Sequence, residues 1–269
     1  MDSIQREEGR HLFGEDVVNY ATYRPSYPER VFELLEEEGG LYPGCHTLEV
    51  GAGSGLATTR LVELGAEPVV VVEPDSRFNE SLQQIGRSFN STVTILNQTF
   101  ERVSFAPASF DLAISATAFH WVDQSIGLRK IADLLRKGGM WAMWWNIFGD
   151  ASRADPFRQA TDEVLKPLTR SPSHVNKGES HFALDKEARI ADILNTGQMT
   201  LPRFELIRWT ITLNVTQLRG LYATFSPIQK QDVASRKCIL DELSAIAENK
   251  FGGIVERPMM TAIYLSRRK

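Results

Sequence analysis

The chain has 269 residues, of which 42% are hydrophobic and 24% charged, and its formal net charge is −4. These proportions are ordinary for a globular protein, and a chain of this length can bury a large core without disulfides or metals. Binding to nucleic acid requires a basic surface, which a mildly acidic chain does not favour, so we expect no nucleic-acid partner.

Targeting signals and cysteine usage predict the compartment. The first ten residues are polar and charged and lack the apolar core of a signal peptide. The longest apolar run, at 140–148, is too short to span a bilayer. Cys45 and Cys238 lie far apart, and the five histidines show no metal-ligand spacing. We therefore expect a cytoplasmic protein with no membrane contact and no metal.

Strand and helix patterns alternate five times in the first 148 residues. The predicted strands lie at 46–50, 69–72, 93–96, 110–114 and 140–145. The predicted helices begin near Pro28, Leu56, Asp75 and Asp123, and the last of them runs to Arg136. This alternation is typical of an α/β fold with a doubly wound parallel sheet, in which ligands bind beyond the carboxyl ends of the strands.

The regular alternation stops after Phe148. Helices are predicted at 155–168 and 184–195, from a Thr216 cap to Phe225, and around Leu243 up to Gly252, with a loop at 169–180. Strands are predicted at 204–213 and 260–265. The segment 149–200 is therefore the best candidate for an insertion over the sheet.

The sharpest motif is the glycine-rich turn LEVGAGSG at 48–55, between the first strand and the next helix. Glycines let the backbone turn tightly and approach a ligand closely, and the helix start offers unpaired N–H groups. Dinucleotides and S-adenosylmethionine are both bound by such turns. A dinucleotide fingerprint requires glycine or alanine where Leu56 stands, so the spacing favours S-adenosylmethionine. Glu73, which ends the second strand, can accept hydrogen bonds from ribose hydroxyls. An ordinary glycine-rich turn without a ligand is the alternative.

With these motifs the chain resembles the class I S-adenosylmethionine-dependent methyltransferases, within the small-molecule branch that includes trans-aconitate methyltransferase. The blocks that carry the resemblance are 20–28, 48–55, 100–101, 110–123, 135–139 and 145–146, with a looser one at 224–226. The resemblance covers 13–148 well. It implies a Rossmann-like seven-stranded sheet of order 3-2-1-4-5-7-6 with strand seven antiparallel.

The same resemblance implies the binding residues. Those expected to bind the cofactor are Tyr20, Arg24, Glu49, Gly51, Ala52, Gly53, Glu73, Pro74, Thr99, Phe100, Ser115 and Trp121. Tyr23 and Trp145 are expected to contact the substrate. Arg24 could hold a carboxylate of the cofactor or of an acidic substrate, or lie exposed beside a proline turn. The chain departs from the family pattern at Gln98, where an acidic residue is common.

The chemistry singles out His120. Methyl transfer from a sulfonium is an in-line displacement, and the protein mainly holds the nucleophile and the methyl group in line. A carboxylate nucleophile needs no base, whereas a hydroxyl or a protonated amine does. His120, just beyond the fourth strand, is the candidate catalytic base; contact with substrate or cofactor and a structural role beside Trp121 are the alternatives. Asp123 is expected to cap the following helix.

The sequence thus predicts an S-adenosylmethionine-dependent methyltransferase of a small molecule, with a carboxylate as the leading acceptor and S-adenosylhomocysteine as the other product. The alternatives are an N- or O-methyltransferase of a secondary metabolite and a non-catalytic S-adenosylmethionine sensor. One domain is expected, with a cofactor-binding core and N-terminal lid at 1–148, a helical cap at 149–200, and a segment completing the sheet at 201–269. Nothing in the sequence indicates an oligomeric state.

Overall fold

The computed structural model describes residues 17–168 and 181–269. Its strands are β1 (Thr47–Val50), β2 (Val69–Val72), β3 (Val93–Leu96), β4 (Phe110–Ala116), β5 (Leu135–Phe148), β6 (Arg203–Asn214) and β7 (Ile254–Arg267). Its helices are α1 (Val17–Tyr23), α2 (Glu29–Glu37), α3 (Leu56–Glu63), α4 (Asn79–Phe89), α5 (Gln124–Leu134), α6 (Pro156–Ala160), α7 (Asp162–Leu165), α8 (Lys186–Leu194), α9 (Val215–Ala223), α10 (Ser226–Gln229) and α11 (Val233–Phe251). Short 3₁₀ turns lie at Ser76–Phe78, Phe119–Trp121 and Phe182–Leu184.

The seven strands form one mixed sheet in the order β3-β2-β1-β4-β5-β7-β6. Strands β1 to β5 run parallel to their neighbours. Strand β7 is antiparallel to β5, because the N–H of Gly138 donates to the carbonyl of Arg268 at one end and that of Gly149 to Pro258 at the other. The predicted fold class and strand order are confirmed.

The described residues fall into two compact units. The first comprises 17–25, 147–168 and 208–260 and contains α1, α6, α7 and α9 to α11. The second comprises 26–146, 181–207 and 261–269 and contains β1 to β4 with α2 to α5 and α8. No helix among the described residues is both long and apolar enough to cross a membrane.

The second unit is built around the parallel strands. All four residues of β1 are buried, as are six of the seven in β4, whereas the edge strand β3 is only half-buried. Strands covered on both faces are uniformly apolar, which explains the four consecutive valines of β2. Asp123 caps α5 by accepting the N–H groups of Ser125 and Ile126, as predicted. The tryptophans of β5, Trp141, Trp144 and Trp145, are completely buried.

The first unit has its own apolar cluster, with Phe157, Leu218 and Leu243 at its centre. Helix α1 packs against α9 where Gly220 leaves room for the ring of Tyr23. A Cβ at Gly220 would lie 2.2 Å from Tyr23 Cδ2, so only glycine permits this contact. The ring of Tyr23, predicted to contact substrate, therefore contributes to the packing of the first unit.

Several predicted boundaries were wrong. The helix predicted at 155–168 is two short helices that end at Leu165, because the chain turns at Thr161, whose hydroxyl donates to the carbonyl of Phe157 at 2.8 Å. Helix α9 starts after Asn214 and not at a Thr216 cap. The side chain of Asn214 accepts the N–H of Gln217 at 2.9 Å, and the Gln217 side chain accepts the N–H of Asn214 at 3.0 Å.

The sheet also reaches further than predicted. Strand β5 begins at Leu135, where a helix was expected to continue to Arg136, and β7 extends beyond 260–265 at both ends. The added residues of both strands mix polar and apolar side chains without a clear period, so hydrophobic periodicity does not mark them as strand. The loop predicted at 169–180 lies outside the described residues.

Candidate functional site

The glycine turn at the carboxyl end of β1 is left-handed at three positions. Gly51, Gly53 and Gly55 have φ values of 76°, 54° and 90°, which side chains with a Cβ rarely adopt. A Cβ on Gly51 would lie 2.5 Å from the Cβ of Ala118, so the turn closely approaches the segment after β4. Gly51, Ala52 and Gly53 are half-exposed, so a ligand can reach their backbone.

Glu73 supports this turn from the end of β2. Its Oε2 accepts the N–H of Gly53 at 2.9 Å, and its Oε1 accepts the N–H of Asp75 at 3.0 Å. A carboxylate has about four acceptor positions, so these two bonds leave capacity for ribose hydroxyls. Asp75 caps the following turn by accepting the N–H of Arg77 at 3.0 Å, as predicted. Pro74, between the two acidic residues, is half-buried.

Glu49 is the most unusual group in the turn. Its side chain is completely buried in β1, and Oε2 accepts the hydroxyl of Thr58 at 2.6 Å. Within the described residues, Oε1 has no hydrogen-bond partner. Buried polar atoms are almost always hydrogen-bonded, so this orphaned oxygen fits a ligand that brings a donor or a positive charge.

Burial perturbs both carboxyl groups. Removal from water raises the pKa of Glu49 to about 7, while the Thr58 hydroxyl opposes this and the nearby Glu73 adds to it. Burial also raises the pKa of Glu73 to about 7, against the N–H groups of Asp75 and Gly53, which stabilise its charge. Two acidic groups that titrate near neutrality beside a glycine turn are characteristic of a ligand site.

These pKa values predict a pH dependence of stability. A carboxyl with a raised folded-state pKa binds more protons in the folded than in the unfolded state, so its contribution is fully present below about pH 4.5 and is lost as the pH rises through about 7. The free energy of unfolding, measured with urea, should fall by up to about 1.4 kcal/mol per pH unit for each carboxyl. The pKa values of Asp150 and Glu205 are lowered, so these two carboxyl groups change the free energy of unfolding only at more acidic pH. Glu49→Gln should fall less steeply; a curve that rises across this interval would contradict the assignment.

The end of β4 is tied to the glycine turn and is locally strained. The hydroxyl of Ser115 donates to the carbonyl of Val50 at 2.8 Å, which joins β4 to β1. Thr117 has a φ of 57°, which is rare for a β-branched residue, and its N–H donates to the carbonyl of Trp144 at 2.7 Å. Such strain is commonly retained at functional sites.

His120 lies in the 3₁₀ turn that follows, surrounded by aromatic side chains. Its Nδ1 accepts the indole N–H of Trp145 at 3.0 Å. Its ring lies 4.8 Å from that of Trp121 and 6.2 Å from that of Phe182, between centroids. Phe182 also contacts Trp145 edge-on at 5.4 Å. The structure therefore brings together the predicted residues His120, Trp121 and Trp145, and Phe182 adds a contact that sequence reasoning missed.

Thr99 and Phe100, expected beside the adenine, follow β3. Phe100 is buried, and the ammonium of Lys130 lies 5.0 Å from its ring centroid and donates to its carbonyl at 2.7 Å. Partial burial lowers the pKa of Lys130. Thr99 is half-buried, and its carbonyl accepts the N–H groups of Arg102 and Val103. The contact of these residues with adenine stays a prediction.

Tyr20, Tyr23 and Arg24 belong to the first unit, whereas the other predicted site residues belong to the second. The guanidinium of Arg24 donates to the carbonyl of Thr224 at 3.0 Å. It also lies over the rings of Tyr20 and Phe225, at 5.0 and 5.1 Å from their centroids. The exposed-arginine alternative was wrong, and carboxylate binding by Arg24 stays a prediction.

Two supporting residues carry no motif. Thr58, which binds Glu49, stands beside Thr59 in α3, and only the helix phase distinguishes the buried threonine from the half-buried one. Lys130 contacts Phe100 across 30 positions of the sequence. Among residues 17–168 and 181–269, no cluster of three or more histidine, cysteine or acidic side chains could hold a metal ion.

Comparison with known proteins shows which family the glycine-turn segment resembles. Residues 48–143 match the model of a family described as "Methyltransferase domain". The matched segment contains the glycine turn, both buried carboxylates and His120.

Curated proteins named as methyltransferases are also similar to the chain. An uncharacterized methyltransferase of Mycobacterium tuberculosis is 36% identical over 134 residues, which are 50% of this chain and 51% of that protein. One of Schizosaccharomyces pombe is 29% identical over 87% of this chain and 86% of its own length. A protein of Saccharomyces cerevisiae named a probable S-adenosylmethionine-dependent methyltransferase is 29% identical over 48% of this chain and 45% of its own length. The chain spans about half the length of the first curated relatives it matches.

Solved structures share the fold at low identity. The [4+2]-cyclase SpnF superposes with a TM-score of 0.59 at 14% identity, covering 100% of this chain and 97% of that one. A Haemonchus contortus phosphoethanolamine N-methyltransferase, solved with phosphomonomethylethanolamine and S-adenosylhomocysteine, gives 0.53 at 14% identity over 96% of this chain and 56% of that one. At these identities the likeness concerns the fold alone.

Proposed function

We propose that the chain is an S-adenosylmethionine-dependent methyltransferase of a small molecule. The observation that carries the proposal is the pair of buried carboxylates at a left-handed glycine turn, in a segment that matches the methyltransferase domain model. The orphaned Oε1 of Glu49 suits the positively charged methionine part of the cofactor. Glu73, held by two backbone N–H groups, suits its ribose hydroxyls.

The bound cofactor would supply an electrophilic methyl group on a sulfonium. The residues of the chain would contribute to binding and positioning in three ways. Gly51 and Gly53 let the backbone approach the ligand, Glu49 and Glu73 fix its two ends, and the aromatic residues around His120 exclude water. Positioning of this kind can supply up to about 7–11 kcal/mol of the barrier.

A carboxylate is our leading acceptor. It is already ionised at neutral pH and attacks without a base, and the resemblance to the branch that includes trans-aconitate methyltransferase agrees with it. Methylation of a secondary metabolite on nitrogen or oxygen is the second candidate. The S. cerevisiae relative supports S-adenosylmethionine as cofactor, whereas SpnF, described as a cyclase, illustrates that this fold does not by itself determine the reaction.

Calorimetry tests the proposal directly. We expect S-adenosylmethionine and S-adenosylhomocysteine to bind the protein, and NADH not to bind. Because the cofactor is cationic beside Glu49, binding should favour the ionised carboxyl and release protons below about pH 7. The apparent binding enthalpy should therefore depend on the ionisation enthalpy of the buffer, and affinity should rise with pH up to that value.

The results of these binding experiments distinguish the proposed function from the proposed role of Glu49. Absence of binding would contradict the proposal, and binding without proton release would contradict the role of Glu49. Thr58→Val, which removes the only hydrogen-bond donor that faces Glu49 among the described residues, should shift proton release to higher pH. Incubation with methyl-labelled cofactor and a panel of small carboxylic acids then separates an enzyme, which labels an acid, from a sensor, which binds without turnover.

A further inference from the structure

We propose that Trp145 locks His120 in one tautomer, with the proton on Nε2, so that the imidazole acts as a hydrogen-bond donor and not as a general base. This inference deepens the proposed function and rests on it for the identity of the acceptor. It assigns His120 a substrate-binding role and Trp145 a positioning role.

The direction of one hydrogen bond carries the argument. The indole N–H of a tryptophan can only donate, and that of Trp145 lies 3.0 Å from Nδ1 of His120. Nδ1 must therefore present its lone pair to the indole. A neutral imidazole has one proton, which must then be on Nε2. With Nδ1 occupied, the ring has no second lone pair with which to take a proton.

The surroundings make this arrangement rigid. Trp145 is completely buried in β5, and its ring is fixed edge-on against Phe182. The ring of His120 packs against those of Trp121 and Phe182, at 4.8 and 6.2 Å between centroids. Turning the indole away would leave a buried N–H without an acceptor, which is costly. The tautomer is thus set by packing before any substrate binds.

The consequence concerns the acceptor. A hydroxyl or an ammonium group would have to lose a proton, and His120 in this state cannot accept one. A carboxylate has no proton to lose: its oxygen lone pair forms the new O–CH₃ bond, and the electrons of the S–CH₃ bond remain on sulfur. The Nε2–H of His120 suits an oxygen of that carboxylate as a hydrogen-bond donor, which would orient it for attack. The pair therefore favours acceptors whose attacking atom carries no proton, such as an anionic oxygen.

The tautomer can be observed without any substrate. We would label the protein with ¹⁵N-histidine, record long-range ¹H–¹⁵N correlations at about pH 8, and assign the His120 signals with His120→Gln. The expected pattern has a protonated Nε2 and an unprotonated Nδ1 at His120. In Trp145→Phe, the two tautomers should interconvert and the nitrogen signals should move toward an averaged pattern.

Trp144→Phe is the matched control. Trp144 is completely buried on the same strand, and its indole N–H has no hydrogen-bond partner within the described residues. This change should leave the His120 signals as in the parent protein. A proton on Nδ1 in the parent, or a Trp145→Phe spectrum equal to that of the parent, would overturn the proposal. Thermal melting of each variant verifies that the comparison is made on folded protein.

Cofactor calorimetry separates this inference from the proposed function. If S-adenosylmethionine does not bind but the tautomer is as expected, the proposed function fails and the Trp145–His120 lock stands. If the cofactor binds but His120 is protonated on Nδ1, the lock fails and the proposed function stands.

Discussion

Replacing Glu73 by alanine should lower the affinity for S-adenosylmethionine at least 100-fold. The change removes the acceptor of two backbone N–H groups, those of Gly53 and Asp75, and with them the acceptor proposed for the ribose. Hydrogen bonds to a charged group contribute roughly 1.5–3 kcal/mol each, and about 1.4 kcal/mol corresponds to a factor of ten in affinity. These two bonds pre-organise the turn, so their loss should lower the affinity by a factor of 100 or more. Titration calorimetry measures it.

Two further variants identify the cause of that loss. Glu73→Gln keeps one carbonyl oxygen but places an NH₂ group against the second backbone N–H, so its affinity should be intermediate. Glu80→Gln neutralises an exposed carboxylate on α4 and should bind like the parent protein. Parent-like binding by Glu73→Ala would remove Glu73 from the site. An equal loss in Glu80→Gln would point to net charge instead.

Most strands of the sheet could be predicted because short stretches of sequence are enough to reveal them. The four valines of β2 and the apolar residues of β4 reveal strands buried on both faces, and Asp123 reveals the start of α5. The strand order itself came from the family resemblance and not from periodicity. Thr216 was predicted as the cap of α9, whereas Asn214 occupies that position. Both residue types favour helix caps, and the reciprocal bonds between Asn214 and Gln217 decide between them.

The site was only partly predictable because its chemistry depends on register. The pairing of Ala116 with Trp144 in adjacent strands places Trp145 beside the segment that carries His120. A slip by one residue would turn Trp145 to the opposite face. The raised pKa of Glu49 likewise depends on complete burial, which the motif does not reveal. Motifs thus selected His120, Trp121 and Trp145 as candidates, but they did not reveal the direction of the hydrogen bond between His120 and Trp145.

The largest stability effect is expected from Arg257→Met in the first unit. The Arg257 guanidinium is almost completely buried, and its Nε lies 2.9 Å from both carboxylate oxygens of Asp155. It also donates to the hydroxyl of Tyr222 and lies 5.7 Å from the ring centroid of Phe157. Removing one partner of a buried pair leaves an uncompensated charge, at a cost of about 3–5 kcal/mol in the free energy of unfolding. Urea denaturation monitored by circular dichroism measures this loss.

A second change distinguishes lost charge pairing from lost packing. Asp155 also caps α6 by accepting the N–H of Arg158 at 2.9 Å, and asparagine caps helices about as well as aspartate. Arg257→Met combined with Asp155→Asn should therefore be more stable than Arg257→Met alone, because no unpaired charge is left buried. Arg158→Met, at an exposed guanidinium 3.9 Å from Asp162, should change stability by about 0–1 kcal/mol. If the double variant were no more stable than Arg257→Met, the contacts with Phe157 and Tyr222 would account for the loss instead.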